Sequence, residues 1–219
     1  MKENYVTVID IGNTTIKVLT AETKISNEIT DAFTLPYRQL ETDGNYDYET
    51  NKLIYFQNFE SIVKALEVIK SRIPPESEIR YLFNSLFSKI VIKKLTCTAT
   101  RKISAFAQVY MKKISNQGMI SDFRILEVDD IKKNTEILIY AYEKNIFSDF
   151  LNIAGNQEIQ PESVEFDLLT LANGFLENNP DGGDYLIIEI GGSKTMIISI
   201  KENKIHDFDI IRIGTIQLY

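Results

Sequence analysis

Residues that mark disulfide-rich, zinc-binding and thiol-dependent proteins are nearly missing from this sequence. Cys97 is the only cysteine, His206 is the only histidine, and tryptophan is absent. One cysteine excludes an internal disulfide and indicates a reducing compartment. A catalytic thiol requires a base such as histidine, and a zinc site requires several cysteines or histidines close together. We therefore expect neither a cysteine–histidine nucleophile nor a metal site at His206.

Long apolar runs and an excess of positive charge are missing as well. No apolar run reaches the roughly 20 residues that a membrane-spanning helix needs, and the first four residues do not resemble a signal peptide. The 24 basic and 31 acidic residues give a net charge of −7, which argues against nucleic-acid binding because that requires a basic face. The 219 residues, 44% of them apolar, suffice for one domain or two small ones with a buried core. We expect a cytosolic chain, by itself or as one part of a larger membrane-bound protein.

One hairpin pattern is present twice. An apolar strand runs into an acidic residue, a glycine and a hydroxyl-rich turn, and a second strand follows; the copies span residues 6–18 and 186–198. A shift of 179 positions pairs the acidic residue, the glycine and a hydroxyl of the two copies: Asp10 with Glu189, Gly12 with Gly191, and Thr14 with Ser193. The pattern therefore indicates an internal duplication.

Turns of this kind can bind a phosphate group. A glycine allows a close approach of the backbone, successive N–H groups and hydroxyls form a concave donor surface, and a carboxylate at the strand end suits Mg²⁺. A single such turn is equally well explained as a plain β-turn, whereas two facing copies favour a binding site. The candidate cofactor-binding residues are Asp10, Gly12, Asn13, Thr14, Thr15, Lys17, Glu189, Gly191, Gly192 and Ser193. Asp10 is also the candidate magnesium ligand.

The order of elements predicts an α/β protein with a ribonuclease H-like core. We predict strands at 5–11, 15–21, 31–35 and 52–56, then a helix from Phe59 to Ile73 with Asn58 as its N-cap, and a strand at 79–83. Strand-strand-strand-helix-strand is half of an actin-type domain. Residues 161–184 add a strand and a helix to it. Residues 185–219 are expected to begin a truncated second half, whose third strand lies near residues 212–215.

Residues 85–160 are predicted to form an inserted α/β subdomain. Strands are expected at 89–95, 123–128 and 136–142, with one helix that Thr98 or Thr100 caps and another that Gly155 ends. The lysines Lys89, Lys93 and Lys94 lie along the first of these strands. They either attract an acidic peptide or only keep an exposed sheet edge soluble. We expect this subdomain to be the interaction module.

Several segments resemble the PilM family of type IV pilus machines, and the related cytoplasmic domain of GspL in type II secretion. Residues 10–17 (DIGNTTIK) are similar to the family's opening turn, and residues 87–95 with the helix after them resemble the inserted subdomain of PilM and FtsA. Residues 136–144 and 161–169 look like the return into the core. The resemblance implies a scaffold beneath the inner membrane. Such a scaffold binds cytoplasmic tails of inner-membrane assembly proteins and links them to an assembly ATPase.

The sequence departs from this family in its second turn. Glu189 stands where the family has aspartate, and Lys194 stands where a small or hydroxylic residue is usual. The glycines and the helix that hold adenosine in actin-like proteins would lie downstream of Tyr219. The chain is therefore expected to be a fragment or a degenerate member. Both alternatives weaken binding of ATP and Mg²⁺, the cofactors that the fold implies, and favour a protein that is not an enzyme.

Two other functions stay open at this point. The first is a nucleotide-dependent ATPase or a kinase like type III pantothenate kinase, which also opens with an Asp-x-Gly-Asn-Thr turn; Asp10 would hold Mg²⁺ and Thr14 and Thr15 the phosphate. No acidic base stands out in mid-chain, because Asp129 and Asp130 are expected to cap a helix. The second is an FtsA-like filament former that self-associates through the inserted subdomain, with a homodimer as the smallest assembly.

Overall fold

The computed structural model describes residues 5–12, 15–23, 28–36, 59–85, 88–115 and 118–215. The first half of the chain forms β1 (Tyr5–Ile11), β2 (Thr15–Glu22), β3 (Ile29–Pro36), α1 (Phe59–Arg72), β4 (Glu78–Phe83), β5 (Ser88–Leu95) and α2 (Thr100–Ile114). The second half forms β6 (Met119–Asp129), β7 (Asn134–Glu143), α3 (Lys144–Asn156), β8 (Ser163–Phe166), α4 (Asp167–Asn178), β9 (Tyr185–Ile190), β10 (Thr195–Lys201) and β11 (Lys204–Ile211). The predicted strand at 52–56, the cap Asn58 and the turn residues Asn13 and Thr14 lie outside the described residues.

The first sheet is the ribonuclease H-like core that the sequence predicts. Its strand order is β3-β2-β1-β4-β8, with β1 antiparallel to β2 and parallel to β4. Alternation along β1 buries Ile9 and Ile11 on one face, where they join the apolar stripe of α1 in one cluster. At the end of α1, Arg72 donates to both oxygens of Asp31 on β3, at 3.0 and 2.9 Å. The helix is thereby fixed over the hairpin by apolar burial and one ion pair.

A three-stranded sheet and α2 form a second layer in mid-chain. The strand order is β5-β7-β6, so β7 is central and is buried on both faces. Its residues Ile137 and Ile139 form a core with Ile103 and Ala107 of α2. The next helix, α3, packs elsewhere: its Phe150 contacts Tyr81 and Phe83 of the first sheet, with ring centroids 4.8 and 4.9 Å apart. The limits 85–160 of an inserted subdomain stay a prediction.

The second hairpin forms a sheet of its own, in the order β11-β10-β9. Its register repeats that of the first hairpin: Asp10 pairs with Lys17 while Glu189 pairs with Met196, and the irregularity after Thr20 recurs after Ser199. The predicted third strand near residues 212–215 is wrong, because the third strand is β11. Residues 212–215 leave the sheet instead. The N–H of Thr215 donates to the carbonyl oxygen of Gly191 at 2.9 Å, so this segment folds over the second turn.

Equivalent positions of the two hairpins differ in burial. Ile9 and Ile11 are 0% and 1% exposed, whereas Ile188 and Ile190, 179 positions later, are 55% and 58% exposed. Helix α1 covers the first pair. In the part of the chain that the structure describes, the corresponding face of the second sheet remains open to solvent.

Helix ends and one turn differ from the sequence predictions. Ala99 occupies the N-cap of α2 and no side-chain cap is formed, so neither Thr98 nor Thr100 caps this helix. Helix α3 continues past Gly155 to Asn156, and Glu158 takes the left-handed conformation after it (φ 58°). Gly155 leaves room for the side chain of Gln160, since a Cβ at Gly155 would lie 3.1 Å from Nε2 of Gln160.

Asp129 closes a strand–strand turn and does not cap a helix. Its Oδ1 accepts the backbone N–H groups of Ile131 and Lys132 at 3.0 and 2.9 Å, between β6 and β7. These hydrogen bonds lower the pKa of Asp129 below its usual range. Among the helices of the described segments, none is long and apolar enough to cross a membrane.

Candidate functional site

The two hairpin turns meet in a cleft of about 310 Å³ beside the start of α4. All eight candidate residues that the structure describes line this cleft; Asn13 and Thr14 lie outside the described residues. Those from the first hairpin are Asp10, Gly12, Thr15 and Lys17, and those from the second are Glu189, Gly191, Gly192 and Ser193. The structure thus brings together two segments that are separated by about 180 positions in sequence.

Both turns close in the same way. The N–H of Gly12 donates to the carbonyl oxygen of Thr15 at 3.0 Å, and the N–H of Gly191 donates to that of Lys194 at 2.8 Å. A Cβ at Gly12 would lie 2.9 Å from the Thr15 oxygen, and one at Gly191 would lie 3.3 Å from the Lys194 oxygen. Glycine is therefore required for close packing of the turn, and neither glycine has the left-handed conformation.

A buried ion pair lies in the cleft, and the sequence did not predict it. Lys194 is 5% exposed, and its Nζ donates to Oδ2 of Asp167 and, at 2.9 Å, to Oγ of Ser85. The other oxygen of Asp167 accepts the backbone N–H groups of Ser85 and Leu168 at 3.1 and 2.7 Å. One sequence feature marks Asp167: it is an acidic residue that follows a strand directly and opens an apolar helix.

The two repeat-related carboxyl groups are partly desolvated. Burial raises the pKa of Asp10, and the nearby Lys17, whose Nζ lies 3.5 Å from Oδ2, opposes this effect. Burial likewise raises the pKa of Glu189, and Lys194 opposes it. Oε2 of Glu189 is buried and has no hydrogen-bond partner among the described residues. Both groups therefore bind a proton at a higher pH than a solvated carboxyl group.

A magnesium-bound nucleotide does not fit these side chains as they are arranged. Mg²⁺ needs carboxylate oxygens that are free to face it or its water ligands, but Asp167 is neutralised by Lys194 and Asp10 lies beside Lys17. In the described residues, no group of three acidic, histidine or cysteine side chains is placed to hold a metal ion. Of the three carboxyl groups in the cleft, two are thus paired with lysine, and Glu189 alone keeps an oxygen without a hydrogen-bond partner among the described residues.

A second cavity, which we call the edge groove, is apolar and lies between two sheet edges. It has a volume of about 190 Å³ and is lined by Phe83, Ile120, Ser121, Asp122, Tyr140, Tyr142, Phe147, Val164 and Phe166. Strand β6 is the edge of the mid-chain sheet on one side, and β8 is the edge of the first sheet on the other. The hydroxyl of Tyr142 is buried and has no hydrogen-bond partner in the described part of the chain.

The lysine-bearing strand β5 forms the opposite edge of the mid-chain sheet. Lys94 lies 3.5 Å from Glu136 on β7, and Lys93 lies over the ring of Tyr110, 5.6 Å from its centroid. Two of the three lysines are thus engaged with side chains of their own layer. The sequence did not reveal the edge groove, because this groove forms only where two separate sheets come together.

No protein-family model and no curated protein matches the sequence, but solved structures resemble the fold. A chain of the PilM–PilN type IV pilus biogenesis complex aligns with a TM-score of 0.68 at 12% identity, over 97% of this chain and 62% of that one. The cytoplasmic domain of EpsL, an inner-membrane component of the type II secretion system of Vibrio cholerae, aligns with a TM-score of 0.54 at 8% identity, over 96% and 71%.

A Bacteroides thetaiotaomicron protein of unknown function, described as having an actin-like ATPase fold, aligns with a TM-score of 0.58 at 8% identity, over 97% of this chain and 72% of that one. This chain spans less than two thirds of the length of the chain from the pilus complex. Identities this low report on the fold. The protein therefore has the actin-like ATPase fold, in a form similar to structures from pilus and type II secretion machines, as the sequence predicted.

Proposed function

We propose that the protein is a cytoplasmic scaffold of a type IV pilus or type II secretion platform at the inner membrane. In this role it binds the cytoplasmic tail of a membrane partner and links it to a separate assembly ATPase. The proposal depends on one observation: nearly the whole chain, 97%, aligns with a chain of a pilus biogenesis complex at a TM-score of 0.68. That structure is itself a complex of two different proteins.

The edge groove is the binding site that we infer for the partner tail. Its walls are mostly aromatic, and the rings of Tyr140 and Phe166 lie 4.7 Å apart across the two sheets. An extended peptide can add to an open sheet edge through its main chain and place alternate side chains in a pocket. Both β6 and β8 are edges in the described sheets. We therefore expect an extended segment with an apolar or aromatic anchor.

The test is a titration of the protein with a synthetic peptide that carries the cytoplasmic tail of the membrane protein encoded beside it. We expect saturable binding, which Tyr140→Ala weakens about tenfold because roughly 1.4 kcal/mol of apolar contact is lost. Lys89→Ala, on the opposite edge, is the matched control and should bind as the unaltered chain does. Absence of binding by any such tail, or equal binding by both variants, would contradict the proposal.

A nucleotide-dependent enzyme is the second candidate function. It is favoured by the convergence of both hairpin turns on one cleft and disfavoured by the lysine partners of its acidic groups. Steady ATP hydrolysis that disappears in Asp10→Ala would favour this function over the scaffold. Neither candidate requires nucleic acid, and the net charge of −7 opposes such a partner.

A further inference from the structure

Lys194 joins three parts of the chain that are distant in sequence. It lies in the turn between β9 and β10, and its ammonium group reaches Asp167 at the start of α4 and Ser85 just after β4. Ser85 in turn donates its backbone N–H to Asp167 at 3.1 Å. These contacts link the second hairpin sheet to the first half of the molecule through Lys194 and Ser85, which are buried, and Asp167, whose side chain is 16% exposed.

The internal repeat shows that Lys194 differs in charge from the equivalent residue of the first turn. A shift of 179 positions pairs it with Thr15 of the first turn, whose hydroxyl side chain bears no charge. Each turn closes through a hydrogen bond from the N–H of its glycine to the carbonyl oxygen of this residue, Thr15 or Lys194. The second turn therefore carries an ammonium group where the first has a hydroxyl, in a cleft that contains three carboxyl groups, Asp10, Asp167 and Glu189.

A cation held by the carboxyl groups of this cleft would compete with the ammonium group of Lys194, which already binds Asp167. Moving the Lys194 side chain away would leave the largely buried carboxylate of Asp167 without its cationic partner, which is strongly unfavourable. The exit segment also constrains the turn, because a Cβ at Gly214 would lie 2.5 Å from the carbonyl oxygens of Gly191 and Gly192. The second turn is thus held by the lysine on one side and by residues 213–215 on the other.

We propose that Lys194 replaces a metal-bound nucleotide as the bridge between the second hairpin and the elements around Ser85 and Asp167, so that the cleft is kept closed by the chain itself. Closure then requires neither ATP nor Mg²⁺. Asp167 and Asp10 then serve as partners for Lys194 and Lys17 and take no part in phosphoryl transfer. The cleft and the edge groove share no lining residue, so this inference and the proposed peptide binding can fail independently.

The test compares the thermal unfolding of the unaltered chain, Lys194→Thr, Asp167→Asn and the double variant, each with no addition, with MgCl₂ and with MgATP. Thr restores the residue of the first copy. We expect the melting temperature of the unaltered chain to be unchanged by either addition. Each single variant should melt about 10 °C lower, and the double variant should lose little more than either one, because both remove the same pair.

Lys194→Thr should also acquire a response that the unaltered chain lacks. Its uncompensated Asp167 offers a site to a divalent cation, so MgCl₂ or MgATP should raise its melting temperature and bind measurably in calorimetry. The matched control is Lys201→Thr, which changes an exposed lysine at the end of β10, the strand that follows Lys194, and should behave as the unaltered chain does.

Three results would overturn the inference. These are stabilisation of the unaltered chain by MgATP, additive losses in the double variant, and a Lys194→Thr variant that melts normally or gains no response to the cation. If Lys194→Thr does not fold, the same melting measurements are made on Lys194→Arg and Asp167→Asn instead. The inference then requires Lys194→Arg to keep the melting temperature and its insensitivity to MgATP, and the loss of either would overturn it.

Discussion

At the scale of single residues, the shape of the cleft depends on two glycines as well as on its charged side chains. Gly12 and Gly191 stand where a Cβ would press on a carbonyl oxygen of their own turn. The duplicated acid-Ile-Gly pattern reveals these positions in the sequence. The partner of Lys194 is not revealed, because Asp167 is separated from it by 27 positions and is brought to it only by the packing of α4.

Gly12→Ala is expected to destabilise the protein by about 1–3 kcal/mol, because the new Cβ meets a backbone oxygen at 2.9 Å that cannot move freely. Gly174→Ala in α4 is the control, since a Cβ there has no neighbour within 4 Å. That change should stabilise the protein by about 0.5–1 kcal/mol through a smaller loss of backbone entropy. Chemical denaturation measures both, and equal effects would contradict this role of Gly12.

Glu189 should make the stability depend on pH in a defined direction. Its pKa in the folded protein is raised from the ordinary value of 4.5. The contribution of the protonated group to the free energy of unfolding is therefore complete below about pH 4.5. It is lost as the pH rises through the folded-state pKa, because the unfolded chain ionises first. Glu189→Gln should therefore gain stability relative to the unaltered chain between about pH 4.5 and neutrality. A difference that is constant across this range would contradict the assignment.

At the scale of secondary-structure elements, the hairpins, α1 and the strand β4 follow from periodicity and breakers in the sequence. Alternating apolar residues mark β1, helical spacing marks α1, and Pro74 with Pro75 explains why α1 ends at Arg72. The cap of α2 was not predictable, because its helix begins on the backbone of Ala99 although two threonines flank that residue. The third strand of the second sheet was predicted near residues 212–215 instead of at β11, because buried and exposed residues do not alternate regularly along β11.

The duplicated hairpins allow a matched comparison of burial. Ile9→Ala should cost about 2–5 kcal/mol because Ile9 is completely buried beneath α1. Ile188→Ala changes the equivalent residue of the second copy, which is 55% exposed, and should cost at most about 1 kcal/mol. Urea denaturation of the two variants is the measurement. Similar losses for both would mean that the second sheet is covered in solution.

At the scale of the whole molecule, one surface predicts self-association. Leu186, Ile188 and Ile190 expose an apolar face on β9, which is also the edge strand of its sheet. Patches and edges of this kind promote association. We expect light scattering to give a mass that rises with protein concentration, and Ile188→Lys to reduce this rise without lowering the melting temperature. A constant monomer mass for the unaltered chain would contradict this expectation.

The arrangement of the sheets explains why the fold was predictable while the edge groove was not. Each sheet can be inferred from local patterns and from the internal repeat. The groove exists only where β6 and β8, from two different sheets, are placed side by side, and no local pattern encodes that distance. The scaffold that we propose, with a shape that does not depend on a nucleotide, rests on the likeness to a chain of a pilus complex and on the lysine in the cleft.

The most direct test of this account is the affinity of the protein for the partner's cytoplasmic tail, measured with and without MgATP by calorimetry. We predict binding with the same dissociation constant in both conditions, and an affinity about tenfold lower in Tyr140→Ala. A tail that binds only when MgATP is present, or no binding of any tail in either condition, would contradict it.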